Sequence, residues 1–138
     1  MAFELPRDFP LKVKREIKLL DLTILDSEIK TRIDLRHKFV FTIDPEDAKD
    51  FDDAVSLEML ENGNFLLSVH IADVSYYVKE NTAVDEEAFK RGTSVYFPDR
   101  CIPMLLKKLS EDICSLKPNK DRLTFSVFME INPKGEVV

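Results

Sequence analysis

The sequence predicts an α+β fold in which short helices accompany a mixed, mostly antiparallel sheet. Residues 123–131 alternate between apolar and mainly polar side chains, which is the period of a β-strand. Two more strand patterns, residues 55–59 and 65–71, flank the turn sequence ENGN at residues 61–64, and together they predict a β-hairpin. Residues 83–91 have a helical pattern with acids in the first turn, where they complement the helix dipole.

The chain divides into a lead-in and a main region. Residues 1–35 form the lead-in or linker segment, with a short amphipathic helix predicted over residues 10–20 and a further helical turn at residues 26–30. Residues 36–138 form the main region. In it we expect a buried strand at residues 39–43, a short helical piece at residues 110–116, and a turn at residues 132–135 that leads into another strand.

Composition places the chain among small globular domains. It has 138 residues, 44% of them hydrophobic and 33% charged, which is enough for one domain and too little for two. No apolar run approaches the roughly 18 residues of a membrane span, and residues 1–7 lack a secretory apolar region. Cys101 and Cys114 fit neither a metal spacing nor a disulfide framework. We therefore expect a cytoplasmic protein with reduced thiols and no membrane partner.

Residues 44–53 (DPEDAKDFDD) are the most informative part of the chain, since six of the ten are acids and only Lys49 is positive. Like charges packed this closely repel one another, so a folded protein keeps them in open water or around cations. The predicted strands on either side would hold the acids in place, which favours cations. Oxygen ligands suit Mg²⁺, Mn²⁺ or Ca²⁺, so the sequence predicts a hard-metal site.

Four aspartates in this segment, Asp44, Asp50, Asp52 and Asp53, form the pattern D-x5-D-x-D-D. A loop of five residues can bring Asp44 back beside Asp50. In extended backbone, Asp52 and Asp53 point to opposite sides, so they can hold two cations, or one cation and a water. Two divalent ions roughly 4 Å apart stabilise the attacking and leaving oxygens of an in-line phosphoryl displacement.

The acidic segment has two other interpretations. An EF-hand fails on pattern, because Lys49 stands where glycine is required and Val55 stands where glutamate is required. A solvated surface turn in a purely structural domain stays open. The net charge of −6 would usually argue against a nucleic-acid partner, but residues 41–62 alone carry −7, so the acidic pI reports this segment and excludes neither RNA nor DNA.

At residues 42–54 (TIDPEDAKDFDDA) the chain strongly resembles the catalytic signature of the RNase II/RNase R (RNB) exoribonucleases. The match continues in order through VHIADVS, RGTSVYFP, IPML, LS and ICSL, at residues 69–75, 91–98, 102–105, 109–110 and 113–116. The spacer at residues 46–49 resembles the bacterial RNase R branch. The match covers the N-terminal third of that family's catalytic domain and departs from it at Leu106 and Lys107, where the family usually continues with proline and an acid.

This resemblance implies a parent protein that is a Mg²⁺-dependent, hydrolytic 3′→5′ exoribonuclease on single-stranded RNA and releases nucleoside 5′-monophosphates. It implies that Asp44, Asp50, Asp52 and Asp53 hold Mg²⁺, with Mn²⁺ as the alternative, and position the attacking water. Asp52 matches the most critical of the four. Tyr96 matches an aromatic that stacks on a base near the RNA 3′ end, and stacking tolerates any base because every base has a π-face.

Several parts of the family's machinery have no counterpart in this sequence. The resemblance places a second stacking aromatic, an essential arginine and an S1 domain beyond residue 138, and cold-shock domains before residue 1. We therefore expect the chain alone to be inactive. A noncatalytic RNA-binding module is the remaining alternative class. By position alone, we expect His70 to be a structural histidine whose ring nitrogens are hydrogen-bonded, and Asp73 to cap a turn.

Overall fold

The computed structural model describes residues 6–138, so residues 1–5 of the predicted lead-in lie outside it. The helices are α1 (Leu11–Leu19), α2 (Asp26–Ile29), α3 (Val74–Tyr77) and α4 (Ala83–Arg91), with a single π-helical turn at Leu109–Ile113. The strands are β1 (Asp53–Met59), β2 (Phe65–Ala72), β3 (Val95–Tyr96), β4 (Cys101–Ile102) and β5 (Thr124–Ile131). An antiparallel sheet has the order β1-β2-β5, and β3 pairs with β4 in a small antiparallel ladder. The α+β class is confirmed.

The turns form where the sequence supplies the residues for them. The β1–β2 hairpin reverses at Gly63, whose φ of 83° is favourable for glycine. Helix α4 begins after Thr82, whose hydroxyl accepts the Asp85 N–H at 3.3 Å, and it ends at Gly92 with a φ of 75°. The predicted hairpin and helix are both confirmed.

The prediction of a buried strand at residues 39–43 is wrong. This segment meets β1 at one point, where Phe41 and Val55 exchange backbone hydrogen bonds of 3.0 and 2.8 Å. Phe39 is 83% exposed and Ile43 is 85% exposed. The segment lies at the sheet edge beside a face that nothing in the described chain covers, so apolar side chains there gain no burial.

The core lies between the helices and the end of β2. The fully buried Val13 and the nearly buried Ile17 of α1 pack with Val84 of α4 and with Leu109. Helix α1 also caps α4, because the Glu16 carboxylate accepts the Ala83 N–H at 2.8 Å, where the helix dipole favours a negative charge. Fully burying an aliphatic side chain contributes about 1.5–3 kcal/mol, so α1 is an integral part of this core.

The two faces of the three-stranded sheet differ in composition and burial. One face presents apolar rows that the register aligns across all three strands, such as Val55, Val69 and Val127. Phe125 in the next row is 64% exposed. The opposite face carries mainly polar residues, including the buried Ser56, Ser68 and His70. The apolar face is therefore the open one, and the mainly polar face is covered by the protein. No helix within residues 6–138 is long and apolar enough to cross a membrane.

Candidate metal centre

The acidic segment is a loop that leads directly into β1. A tight turn at residues 46–47 is closed by the Ala48 N–H, which donates to the Pro45 carbonyl at 3.0 Å. The Asp52 carbonyl accepts the Ala72 N–H at 3.0 Å, which ties the end of the loop to the end of β2. The backbone around Asp52 is therefore fixed by the sheet, although the loop itself has no regular structure.

The other side of the loop is held by the segment at residues 113–116. The Ser115 hydroxyl donates to the Lys49 carbonyl at 2.8 Å and accepts the Phe51 N–H at 3.1 Å. The Leu116 N–H donates to the Phe51 carbonyl at 2.9 Å. Residues 49–52 are thus hydrogen-bonded on both sides, to β2 and to residues 115–116.

The charges of the other three predicted aspartates act on Asp52. Desolvation by the surrounding protein raises the pKa of Asp52 above its ordinary value, and the negative charges of Asp50, Asp53 and Asp44 raise that pKa further. Repulsion of this kind disfavours the charged form. A divalent cation would remove the repulsion, and four carboxylates are a donor set that suits Mg²⁺ or Mn²⁺.

The structure does not bring these carboxylates together at a single point. Within residues 6–138, no three Asp, Glu, His or Cys side chains converge closely enough to form a metal-binding group. Asp52 and Asp53 are exposed to solvent, as is Asp44 at the far end of the loop. The donor chemistry of the four fits a divalent ion, but their side chains would have to converge around it.

Tyr96 lies against the acidic loop. Tyr96 lies in β3, opposite Cys101 of β4, and its hydroxyl donates to Asp50 Oδ2 at 2.5 Å. This hydrogen bond, with partial burial, raises the pKa of Tyr96 to about 12. The residue is 64% exposed, so part of its aromatic ring is open to solvent beside the carboxylates. The predicted RNA-stacking residue and a predicted metal ligand are therefore direct neighbours.

His70 and Asp73 have structural roles, as the sequence predicts. His70 is buried, with one ring nitrogen 3.2 Å from the Ser56 hydroxyl and the other 2.8 Å from the Ser126 hydroxyl, and burial lowers its pKa. Asp73 caps α3 by accepting the Tyr76 N–H at 3.1 Å. Neither residue is a metal ligand in this arrangement.

The sequence did not reveal the role of Ser115. The serine stands in the ICSL motif at residues 113–116, and the motif indicates a short helical piece but not a contact. Its partners are more than 60 positions earlier in the chain. The signal that could have indicated this position is a small polar residue between Cys114 and Leu116, in a motif that resembles a nuclease family.

Comparison with known proteins gives the family. The RNB domain model matches residues 32–138. Ribonuclease R of Thermotoga maritima is 59% identical over 133 residues, which are 96% of this chain and 19% of the relative. Ribonuclease R of Aquifex aeolicus is 51% identical over 135 residues, or 98% of this chain and 19% of the relative.

The fold comparison agrees. A solved structure of Mycoplasma genitalium RNase R in complex with double-stranded RNA matches with a TM-score of 0.87 and 30% identity, over 97% of this chain and 24% of that one. The chain spans about a fifth of the length of the two bacterial relatives, at 19% of each. From the family match over residues 32–138 and the shared fold, we conclude that the chain belongs to the RNB domain family.

Proposed function

We propose that this chain is part of a Mg²⁺-dependent, hydrolytic 3′→5′ exoribonuclease that acts on single-stranded RNA and releases nucleoside 5′-monophosphates. The observation that carries the proposal is the acidic loop, which is hydrogen-bonded to β2 at Asp52 and to Ser115 at Phe51, and which has Tyr96 against Asp50. Membership of the RNB domain family supports the same reaction.

The metal would be held by Asp44, Asp50, Asp52 and Asp53, with Mn²⁺ as an alternative to Mg²⁺. A bound divalent ion supplies charge stabilisation at a phosphate and lowers the pKa of a bound water. The chain's own contribution is to bring four oxygen donors into one loop and to fix the backbone on both sides of Asp52. The mutual repulsion that raises the pKa of Asp52 favours binding of a cation.

The RNA would meet this loop at its 3′ end. The exposed part of the Tyr96 ring offers a stacking surface for a base, and base–aromatic stacking is worth about 1–3 kcal/mol per base. Its hydroxyl contact with Asp50 would place the stacked nucleotide next to the carboxylates. Solved RNase R structures of Mycoplasma genitalium in complex with double-stranded and with ribose-methylated single-stranded RNA support RNA as the substrate class.

The activity would need parts of the fold other than these 138 residues, so we expect this chain alone to bind metal weakly and to leave RNA intact. In a full-length protein of this type we expect cold-shock and S1 domains as RNA-binding partners of the catalytic domain, and a cytoplasmic location.

A chimera tests the proposal. In the chimera, the 133 aligned residues of this chain replace their counterparts in Thermotoga maritima ribonuclease R. The two segments are 59% identical. We expect the chimera to degrade 5′-labelled single-stranded RNA from its 3′ end to nucleoside 5′-monophosphates, and Asp52→Asn to abolish this. Glu61→Gln, which removes an acid from the distant β1–β2 turn, is the charge-matched control and should leave the rate unchanged.

A noncatalytic RNA-binding module is the second candidate. It is favoured by the observation that carboxylates within residues 6–138 do not converge into a metal-binding group. It predicts a folded chimera that binds RNA, degrades none, and keeps its RNA affinity after Asp52→Asn. That result would reject the exonuclease proposal.

A further inference from the structure

We propose that Ser115 is a positioning residue for the acidic loop, and that its hydroxyl fixes the backbone from which Asp50 and Asp52 project. The inference rests on the proposed function, since it concerns how the candidate metal ligands are held. Ser115 itself touches none of the four aspartate carboxylates in the hydrogen bonds that the structure records.

The contact uses both capacities of one hydroxyl group. Ser115 is fully buried, and its Oγ donates to the Lys49 carbonyl at 2.8 Å while accepting the Phe51 N–H at 3.1 Å. A serine hydroxyl carries one donor and two acceptor sites, so it can serve both groups at once. The hydroxyl therefore bridges the two peptide groups on either side of Asp50.

The segment that carries Ser115 is itself held in place. The Arg122 guanidinium donates to the Ser115 carbonyl at 2.9 Å and to the Asp112 carbonyl at 3.0 Å. The Cys114 N–H donates to the Leu109 carbonyl at 2.8 Å, at the end of the π-helical turn. Because these hydrogen bonds hold the backbone around Ser115 independently of the acidic loop, the Ser115 hydroxyl can fix the position of the loop.

The Ser115 bridge restrains the backbone between Lys49 and Phe51. Asp50 lies between Lys49 and Phe51, and Asp52 follows Phe51 directly. The Ala72 N–H holds the Asp52 carbonyl from the other side at 3.0 Å. Without the hydroxyl, the backbone of residues 49–51 keeps only the bond from the Leu116 N–H to the Phe51 carbonyl. The Asp50 carboxylate still accepts the Tyr96 hydroxyl, but the peptide groups on either side of Asp50 become free to reorient while the rest of the fold is retained.

The test compares two serines that are both fully buried. Ser115→Ala removes the bridging hydroxyl. Ser68→Ala is the matched control, because the Ser68 hydroxyl is equally buried and has no hydrogen-bond partner within residues 6–138. Ser115→Thr keeps a hydroxyl and is the rescue variant. Amide hydrogen exchange and chemical shifts of residues 49–53 are measured first, and the affinity for Mn²⁺ second.

We expect Ser115→Ala to accelerate exchange of the Phe51 amide at least tenfold and to move the shifts of residues 49–53, because that N–H loses its acceptor. Mn²⁺ affinity should fall about tenfold, as it does when the partners of metal ligands are removed. Ser68→Ala should change neither quantity, and Ser115→Thr should restore both. If the threonine variant does not fold, the two alanine variants decide.

Unchanged shifts at residues 49–53 in Ser115→Ala, or equal changes in Ser68→Ala, would overturn the positioning role. So would an accelerated Phe51 exchange with an unchanged Mn²⁺ affinity, because Ser115 would then be only a loop anchor. If the unmodified chain binds no Mn²⁺ at all, the metal site of the proposed function fails in this chain. The exchange and shift data still decide the role of Ser115 in that case.

Discussion

At the scale of single residues, the acidic loop contains a conflict between folding and function. Partial desolvation and the three neighbouring carboxylates raise the pKa of Asp52 in the folded chain, although the residue remains accessible to solvent. An acid whose folded pKa is raised binds its proton more tightly in the folded state than in the unfolded state. The free energy of unfolding therefore falls as the pH rises from the ordinary aspartate pKa near 4 through the raised value. Above that range, in the absence of metal, the charged Asp52 opposes folding.

The first prediction follows from this fall in the free energy of unfolding with rising pH. Asp52→Asn should raise the melting temperature of the metal-free chain at neutral pH. The corresponding gain in the free energy of unfolding should be less than about 1 kcal/mol, because solvent screens the carboxylates. The advantage should shrink as the pH falls from the raised pKa and vanish below the ordinary aspartate pKa near 4, where Asp52 is protonated in both states. Thermal unfolding in a chelator from pH 3 to 8 measures it. Glu61→Gln is the control, and an equal gain from that distant substitution would reject the local explanation.

At the scale of elements, one buried carboxylate connects the lead-in to the sheet. Asp73, at the end of β2, is almost fully buried and accepts Arg32 Nη2 at 2.7 Å and the Ser75 hydroxyl at 2.7 Å. Burial raises the pKa of Asp73, but the bonds from Ser75 and Arg32 outweigh burial and leave the pKa below its ordinary value. The stability from this group is present above about pH 4 and is lost as the pH falls through the lowered value.

The second prediction tests that connection. Asp73→Ala should lower the free energy of unfolding by about 3–5 kcal/mol, because it removes the α3 cap and leaves Arg32 without its buried partner. Glu28→Ala removes the other carboxylate that pairs with Arg32, which is more exposed, and should cost about 1 kcal/mol or less. Urea unfolding measures both. Equal losses would mean that Asp73 is not the anchor of the lead-in.

The elements also show how far local patterns can predict this fold. The alternation that defines β5, the glycine turn of the hairpin and the capped helix α4 are local signals, and each was predicted. Residues 39–43 have an equally apolar pattern but pair with β1 only at Phe41. Apolar composition predicts burial only if another layer covers the side chains, and the sequence of the segment itself does not carry that information.

The site was predictable to a similar extent. The four aspartates are close in sequence, so their spacing suggests a shared site, and the resemblance to the RNB exoribonucleases is what predicts them as metal ligands. The contacts of Tyr96 with Asp50 and of Ser115 with Phe51 join positions 46 and 64 residues apart. Such contacts depend on the packing of the β3–β4 ladder and the π-helical turn around the loop, which no local period encodes.

At the scale of the whole molecule, the open apolar face of the sheet is the main departure from an ordinary small domain. Rows of aliphatic and aromatic side chains cross β1, β2 and β5, and several of them are more than half exposed, including Leu57, Phe125 and Val127. Monomeric proteins rarely leave a contiguous apolar surface of this kind in water. The chain in isolation should therefore bind apolar probes at this face.

The third prediction concerns that face. The chain should enhance the fluorescence of anilinonaphthalene sulfonate, and Phe125→Lys should reduce the enhancement while changing the free energy of unfolding by about 0.5 kcal/mol or less. The matched control is Phe89→Lys on α4, where the phenylalanine is 90% exposed but lies away from the sheet. An equal reduction by both substitutions would show that the dye does not report this face.

The fourth prediction is that the acidic loop is a divalent-metal site, and a Mg²⁺ titration of this chain followed at every backbone amide tests it. We expect shift changes confined to residues 44–53 and their close neighbours Ser115 and Tyr96, and we expect these changes to be lost in Asp52→Asn. Ser68→Ala should leave the response intact. A well-dispersed spectrum that does not change with Mg²⁺, or changes that persist in Asp52→Asn, would contradict the claim and leave the acidic segment as a solvated turn.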